Sequence, residues 1–74
     1  MDSNKPSLNQ ITTLAMGLHN ETEHFGIYTY EQLSDACHAM TLKQYKYALA
    51  LWFSNKYFDL KKLIDQLLTK PKQA

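Results

Sequence analysis

Six residues between Thr41 and Phe58 have types and spacing that could do chemistry: Lys43, Lys46, Tyr47, Trp52, Lys56 and Tyr57. Lysine brings positive charge to phosphates, and planar rings stack on unpaired bases, so the mixture suits a polynucleotide-binding surface. At about 100° per residue, Lys43, Lys46, Tyr47, Ala50 and Ser54 lie away from an apolar face made by Leu42, Tyr45, Leu49, Trp52 and Phe53. Ala50 leaves room for a backbone phosphate to approach. The structural alternative buries Tyr47, Leu51 and Phe58 as a second stripe against a neighbouring helix and gives Trp52 to the core.

Other chemistries find less support. His19, His24 and His38 have no Ser, Cys or Asp at a recognisable catalytic spacing. No Cys-x-x-Cys or His-x-x-x-His pair exists to hold zinc. Cys37 and His38 are sequence neighbours and point in different directions on a helix, so Cys37 reads as a small buried hydrophobe. Glu21 and Glu23 are the paired-carboxylate candidates and read as solvated, and no glycine-rich phosphate loop is present. The expectation is a binding protein, not an enzyme, with no metal and no cofactor.

The elements that position those residues follow from composition. Seventy-four residues make one small domain, and an apolar share of 45% argues against wholesale disorder. Two Gly and two Pro leave few turn signals for hairpins, so the fold class expected is all-α. The single Cys, the absence of an apolar leader and the lack of a membrane-length apolar run fit a cytoplasmic protein without a membrane partner. Charge is asymmetric: residues 1–40 carry a net −4 and residues 41–74 a net +5. A positive, aromatic-rich half suits a polyanion partner.

Ser7-x-x-Gln10, Thr29-x-x-Gln32 and Thr41-x-x-Gln44 each precede an apolar periodic run and read as capping boxes that start helices. The expected bundle is compact, with four helices at about 8–18, 30–39, 42–54 and 59–70. Residues 1–6 and 71–74 are tails, and 7–70 form a single helical domain. Residues 20–28 read as a loop with Phe25 and Ile27 tucked inward. Leu60 lies in phase with Leu42, so 42–70 could run as one helix; Ser54-Asn55 argues for a break near 54–59, with Asp59 as a cap. The core is assigned to Leu14, Leu18, Leu33, Leu49, Trp52, Phe53, Leu63 and Leu67, with Ala36, Cys37 and Met40 also inward.

Two segments resemble the ProQ/FinO RNA-chaperone domain. Leu14-Ala-Met-Gly-Leu-His19 is similar to that family's Pro-Leu-x-Ile-Gly-Ile segment. Thr41 to Phe58 resembles its Ser-x-x-x-Leu-Arg-x-Ala-Leu-x-x-Tyr-Thr-x-x-x-Arg-Tyr-Leu helix and turn. The resemblance implies a helical domain that binds structured RNA with a single-stranded 3′ tail, as an RNA chaperone or post-transcriptional regulator. Lys46 would stand at a basic helix position, Trp52 at the family's Tyr, and Lys56-Tyr57 at its Arg-Tyr. The chain has no Arg, so phosphates would meet point charges, not bidentate forks.

Two other functions fit the same residues. Thr29–Ala39 and Thr41–Asn55 could form a helix-turn-helix that binds DNA through Lys43, Gln44 and Tyr47. A continuous helix 42–70 would carry a long apolar stripe and make the chain a protein-interaction or inhibitor module, a homodimer in place of a monomer.

Overall fold

The computed structural model describes residues 4–69, which form α1 (Leu8–Asn20), α2 (Thr22–Phe25), α3 (Tyr30–Ala39), α4 (Leu42–Phe53) and α5 (Tyr57–Thr69). The fold is all-helical, with four helices of substantial length and one single turn. No strand occurs among the described residues.

Three of the long helices start where a capping box dictates. Ser7 Oγ accepts from the Gln10 N–H at 3.1 Å, and Gln10 Oε1 accepts from the Ser7 N–H at 2.8 Å. Thr29 and Gln32 exchange the same bonds at 3.0 and 2.9 Å, and Thr41 and Gln44 at 3.1 and 2.9 Å. Each box satisfies two backbone donors that a helix start leaves open, and its capping side chain contributes about 1 kcal/mol. The residue before each box and the fourth residue of each helix are both buried: Pro6 with Ile11, Tyr28 with Leu33, Met40 with Tyr45. These are the positions of a hydrophobic staple, which fixes the angle at which the chain enters the helix.

The elements pack pairwise, α1 on α3, α3 on α5, α4 on α5 and α2 on α1. The core joins Leu14, Leu18, Phe25, Leu33, Met40, Leu60 and Ile64, all essentially inaccessible to solvent. Leu33, Ala36, Cys37 and Met40 face inward as their spacing requires. Trp52 ties α4 to α1: a Cβ built on Gly17 would lie 2.3 Å from the tip of its indole, so the bare glycine gives the ring its seat.

The 20–28 loop, the core face of α4 and the start of the last helix need correction, while the break between the last two helices falls where it was expected. The stretch 20–28 is not all loop: α2 forms within it, Phe25 is buried, and Tyr28 takes the inward place expected of Ile27, which is 75% exposed. The Tyr28 hydroxyl donates to Asp65 Oδ1 at 2.6 Å, an anchor on α5 that isoleucine lacks.

Phe53 is 76% exposed and is not core, while Leu49 and Trp52 are only partly buried. The buried face of α4 is centred on Tyr45, Ala48 and Leu51. Phe53 lies five residues beyond the fully buried Ala48, about 140° around the helix from it, and so faces outward.

The third and fourth long helices are separate, with the break at Ser54–Lys56. Asn55 is left-handed, with φ 60°. The Asn55 N–H returns to the Trp52 carbonyl at 3.1 Å, and the Lys56 N–H to the Leu51 carbonyl at 2.8 Å. That is a Schellman closure, for which Asn is second only to Gly because its short polar side chain tolerates positive φ.

α5 accordingly begins at Tyr57, two residues earlier than expected, and Asp59 lies inside its first turn, not ahead of it as a cap. There its carboxylate complements the positive end of the helix dipole. Residue 70, the expected end of this helix, lies outside the described residues, as do 1–3 and 71–74 of the expected tails.

The rest of the N-terminal segment crosses the α3–α4 junction. The Leu42 N–H donates to the Asn4 carbonyl, Lys5 Nζ donates to the His38 carbonyl at 3.2 Å, and Pro6 is buried.

Candidate nucleic-acid interface

The outer face of α4 is built by the same periodicity that buries Tyr45, Ala48 and Leu51. Lys43, Lys46, Ala50 and Phe53 follow one another at helical spacing, and all four are exposed. Tyr47 lies beside this row at 55% exposure. The Lys43 and Lys46 ammonium groups have no hydrogen-bond or ion-pair partner among the described residues, and neither does Lys56 at the α4–α5 elbow. Lys43 and Lys46 therefore stand solvated on one helix face whose opposite side is held in the core, and Lys56 is a third solvated cation at the elbow.

Tyr47 also lines a shallow depression of about 170 Å³ with Asp59, Lys62, Leu63 and Gln66 of α5. Lys62 Nζ sits 5.4 Å from the centre of the Phe58 ring, a cation–π contact. Phe58 itself is 73% exposed, so it does not form the buried stripe that the structural alternative required; of that stripe only Leu51 is buried. Asp59 is the one carboxylate lining the depression.

The two remaining site candidates are occupied within the fold. Tyr57 stacks on His24 with ring centres 3.9 Å and planes 12° apart, and packs T-shaped with Phe25, ring centres 5.9 Å apart. Its hydroxyl donates to Asn55 Oδ1 at 2.9 Å. Trp52 rests on Gly17 and runs parallel to Phe53, with ring centres 5.8 Å apart. The structure thus brings Lys43, Lys46 and Tyr47 together in solvent, sets Lys56 at the elbow, and uses Trp52 and Tyr57 largely for packing.

Phe53, Phe58 and Lys62 were absent from the sequence reading of this surface. Phe53 had a detectable signal: it falls in the same helical row as Lys43 and Lys46. Phe58 and Lys62 depend on how α5 is placed beside α4, which local spacing does not disclose.

Cys37 is buried in apolar surroundings, and that burial pushes its thiol up to about 12, so it stays protonated and unreactive. Burial, then the hydrogen bond from its own hydroxyl to Asp65, then the Asp65 charge, raise Tyr28 above the usual phenol range. His19 is exposed near the end of α1 and packs T-shaped with Tyr30, ring centres 5.7 Å apart. Among the described residues no three His, Cys, Asp or Glu side chains converge as a metal site, and no helix is long and apolar enough to cross a membrane. Comparison of the chain with known protein families, curated proteins and solved structures finds no match.

Proposed function

We propose that this protein is a binding module for RNA, acting in the cytoplasm as an RNA chaperone or post-transcriptional regulator and carrying out no catalysis of its own. The observation that carries the reading is the grouping of Lys43, Lys46 and Tyr47 in solvent on a helix whose other face is fixed in the core. Lys56 adds a further exposed cation just past the end of α4. The resemblance of Thr41–Phe58 to the ProQ/FinO helix directs the choice of RNA: a hairpin with a single-stranded 3′ tail.

Titration of such a hairpin at several salt concentrations tests this. If Lys43, Lys46 and Lys56 each neutralise one phosphate of the tail, log K falls against log salt with a slope of about −2, and Lys46→Ala makes it shallower by about 0.7. A salt-independent affinity, or Lys46→Ala and Lys56→Ala variants that bind like the parent, overturns the reading.

A second reading draws on the connection between α3 and α4, in which Met40 and Thr41 alone separate two capped helices. It makes α4 the recognition helix of a DNA-binding helix-turn-helix. Competition between duplex DNA and hairpin RNA separates the two, since each predicts a different winner at equal salt.

A further inference from the structure

We infer that Phe53 and Phe58, on either side of the α4–α5 elbow, are the surfaces on which unpaired bases stack, so that the ligand must offer single-stranded nucleotides. This rests on the RNA-binding reading and sharpens it, by moving the base contacts from Trp52 and Tyr57 to two rings that face solvent.

Exposure distinguishes the two pairs. Phe53 is 76% exposed and Phe58 73%, whereas Trp52 and Tyr57 are partly buried. Tyr57 has one ring face covered by His24, and Trp52 lies against Gly17. Both therefore offer a base less open ring than Phe53 or Phe58 does.

Each exposed ring is also supported. Phe53 runs parallel to Trp52, within 7°, and Trp52 is in turn seated on Gly17. Phe58 carries the Lys62 ammonium 5.4 Å from its ring centre. Rings steadied this way lose less freedom when a ligand stacks on them.

Charge selects the occupant. Lys46 precedes Phe53 in the same helical row, Lys56 lies between the two phenylalanines in sequence, and Lys62 stands over Phe58, while Asp59 is the carboxylate that lines the adjoining depression. Positive charge interleaved with aromatic rings matches a single strand, whose phosphates and bases alternate. A second copy of the chain fits poorly: a two-fold contact through this patch would set these lysines against themselves.

The test uses the full chain and a short fluorescein-labelled oligoadenylate, with a tailless RNA hairpin for comparison. Phe53→Ala and Phe58→Ala should each weaken oligoadenylate binding about five-fold or more, leave the melting temperature unchanged, and affect the tailless hairpin less. Phe53→Tyr should restore affinity, and Trp52 emission should change on binding. If the phenylalanine variants bind like the parent while Lys46→Ala binds more weakly, the stacking proposal fails and the RNA reading stands. If the parent binds neither RNA, both fail. A dimer in sedimentation that Phe53→Ala converts to monomer would make the patch an interface between copies and overturn the proposal.

Discussion

The two ends of α4 join it to its neighbours in opposite ways. At the α3–α4 junction Met40 is fully buried, Thr41 and Gln44 close a capping box, and residues 4–6 lie across the turn. At the α4–α5 junction Ser54, Asn55 and Lys56 are all exposed, the turn is held by backbone bonds, and Phe53 and Phe58 extend into water on either side. One junction uses its large side chain for stability. The other packs Trp52 and Tyr57 but leaves Phe53 and Phe58 in water. A helix fixed firmly at one end can display a rigid surface at the other, and that contrast makes the elbow the more informative place to look for function.

Mutations should separate the two junctions by their effect on stability. Met40→Ala removes a fully buried side chain and should cost about 2–5 kcal/mol in urea denaturation. A loss below about 1 kcal/mol would mean that the closed junction is not closed in solution.

Alkali should also weaken that side. The Cys37 thiol in the last turn of α3 has an ordinary value of 9.0, raised in the fold to about 12. Between those values the folded chain keeps a proton that the unfolded chain releases. The stabilisation is therefore complete below about pH 9 and is lost as pH rises, by about 1.4 kcal/mol per pH unit. Cys37→Ala should flatten the decline between pH 9 and 12 when stability is measured across that range; Tyr28, raised in the same sense, adds to the fall above its ordinary value of 10.0.

The open junction should depend on backbone conformation instead of burial. Asn55→Val places a branched side chain at φ 60° and should cost about 1–2 kcal/mol, while Asn55→Gly should be nearly neutral. Equal melting temperatures for the two variants would show that the left-handed turn does not persist. Thr41→Ala, which removes a capping oxygen, should lower stability by about 1 kcal/mol. The smallest effect is expected from Phe53→Ala, within about 0.5 kcal/mol of the parent, because the ring is mostly in water.

The starts of α1, α3 and α4 were legible in the sequence because a capping box is local: every bond it makes lies within four residues. The inward set of α3 was legible for the same reason, as was the break near Ser54–Asn55. Rotation of α4 was not, because it depends on Ala48 meeting other helices, and a rule that sends large residues inward favours Phe53 over alanine. Tyr28 was within reach: it occupies the staple position before Thr29, opposite Leu33, but isoleucine next to it is the stronger hydrophobe by composition. Of the candidate interface, Lys43, Lys46 and Tyr47 were readable from spacing. The placement of Phe58 and Lys62 beside them was not, since that follows from how α5 leaves the elbow.

Lys56 belongs to two helices at once. Its N–H completes the last turn of α4 at the Leu51 carbonyl, and its own carbonyl receives the first bond of α5 from the Leu60 N–H at 3.1 Å. Neither end can therefore fray without loosening the other. In deuterium exchange the amides of Lys56 and Leu60 should open as one cooperative unit, so the elbow would behave as a stiff joint and not as a hinge.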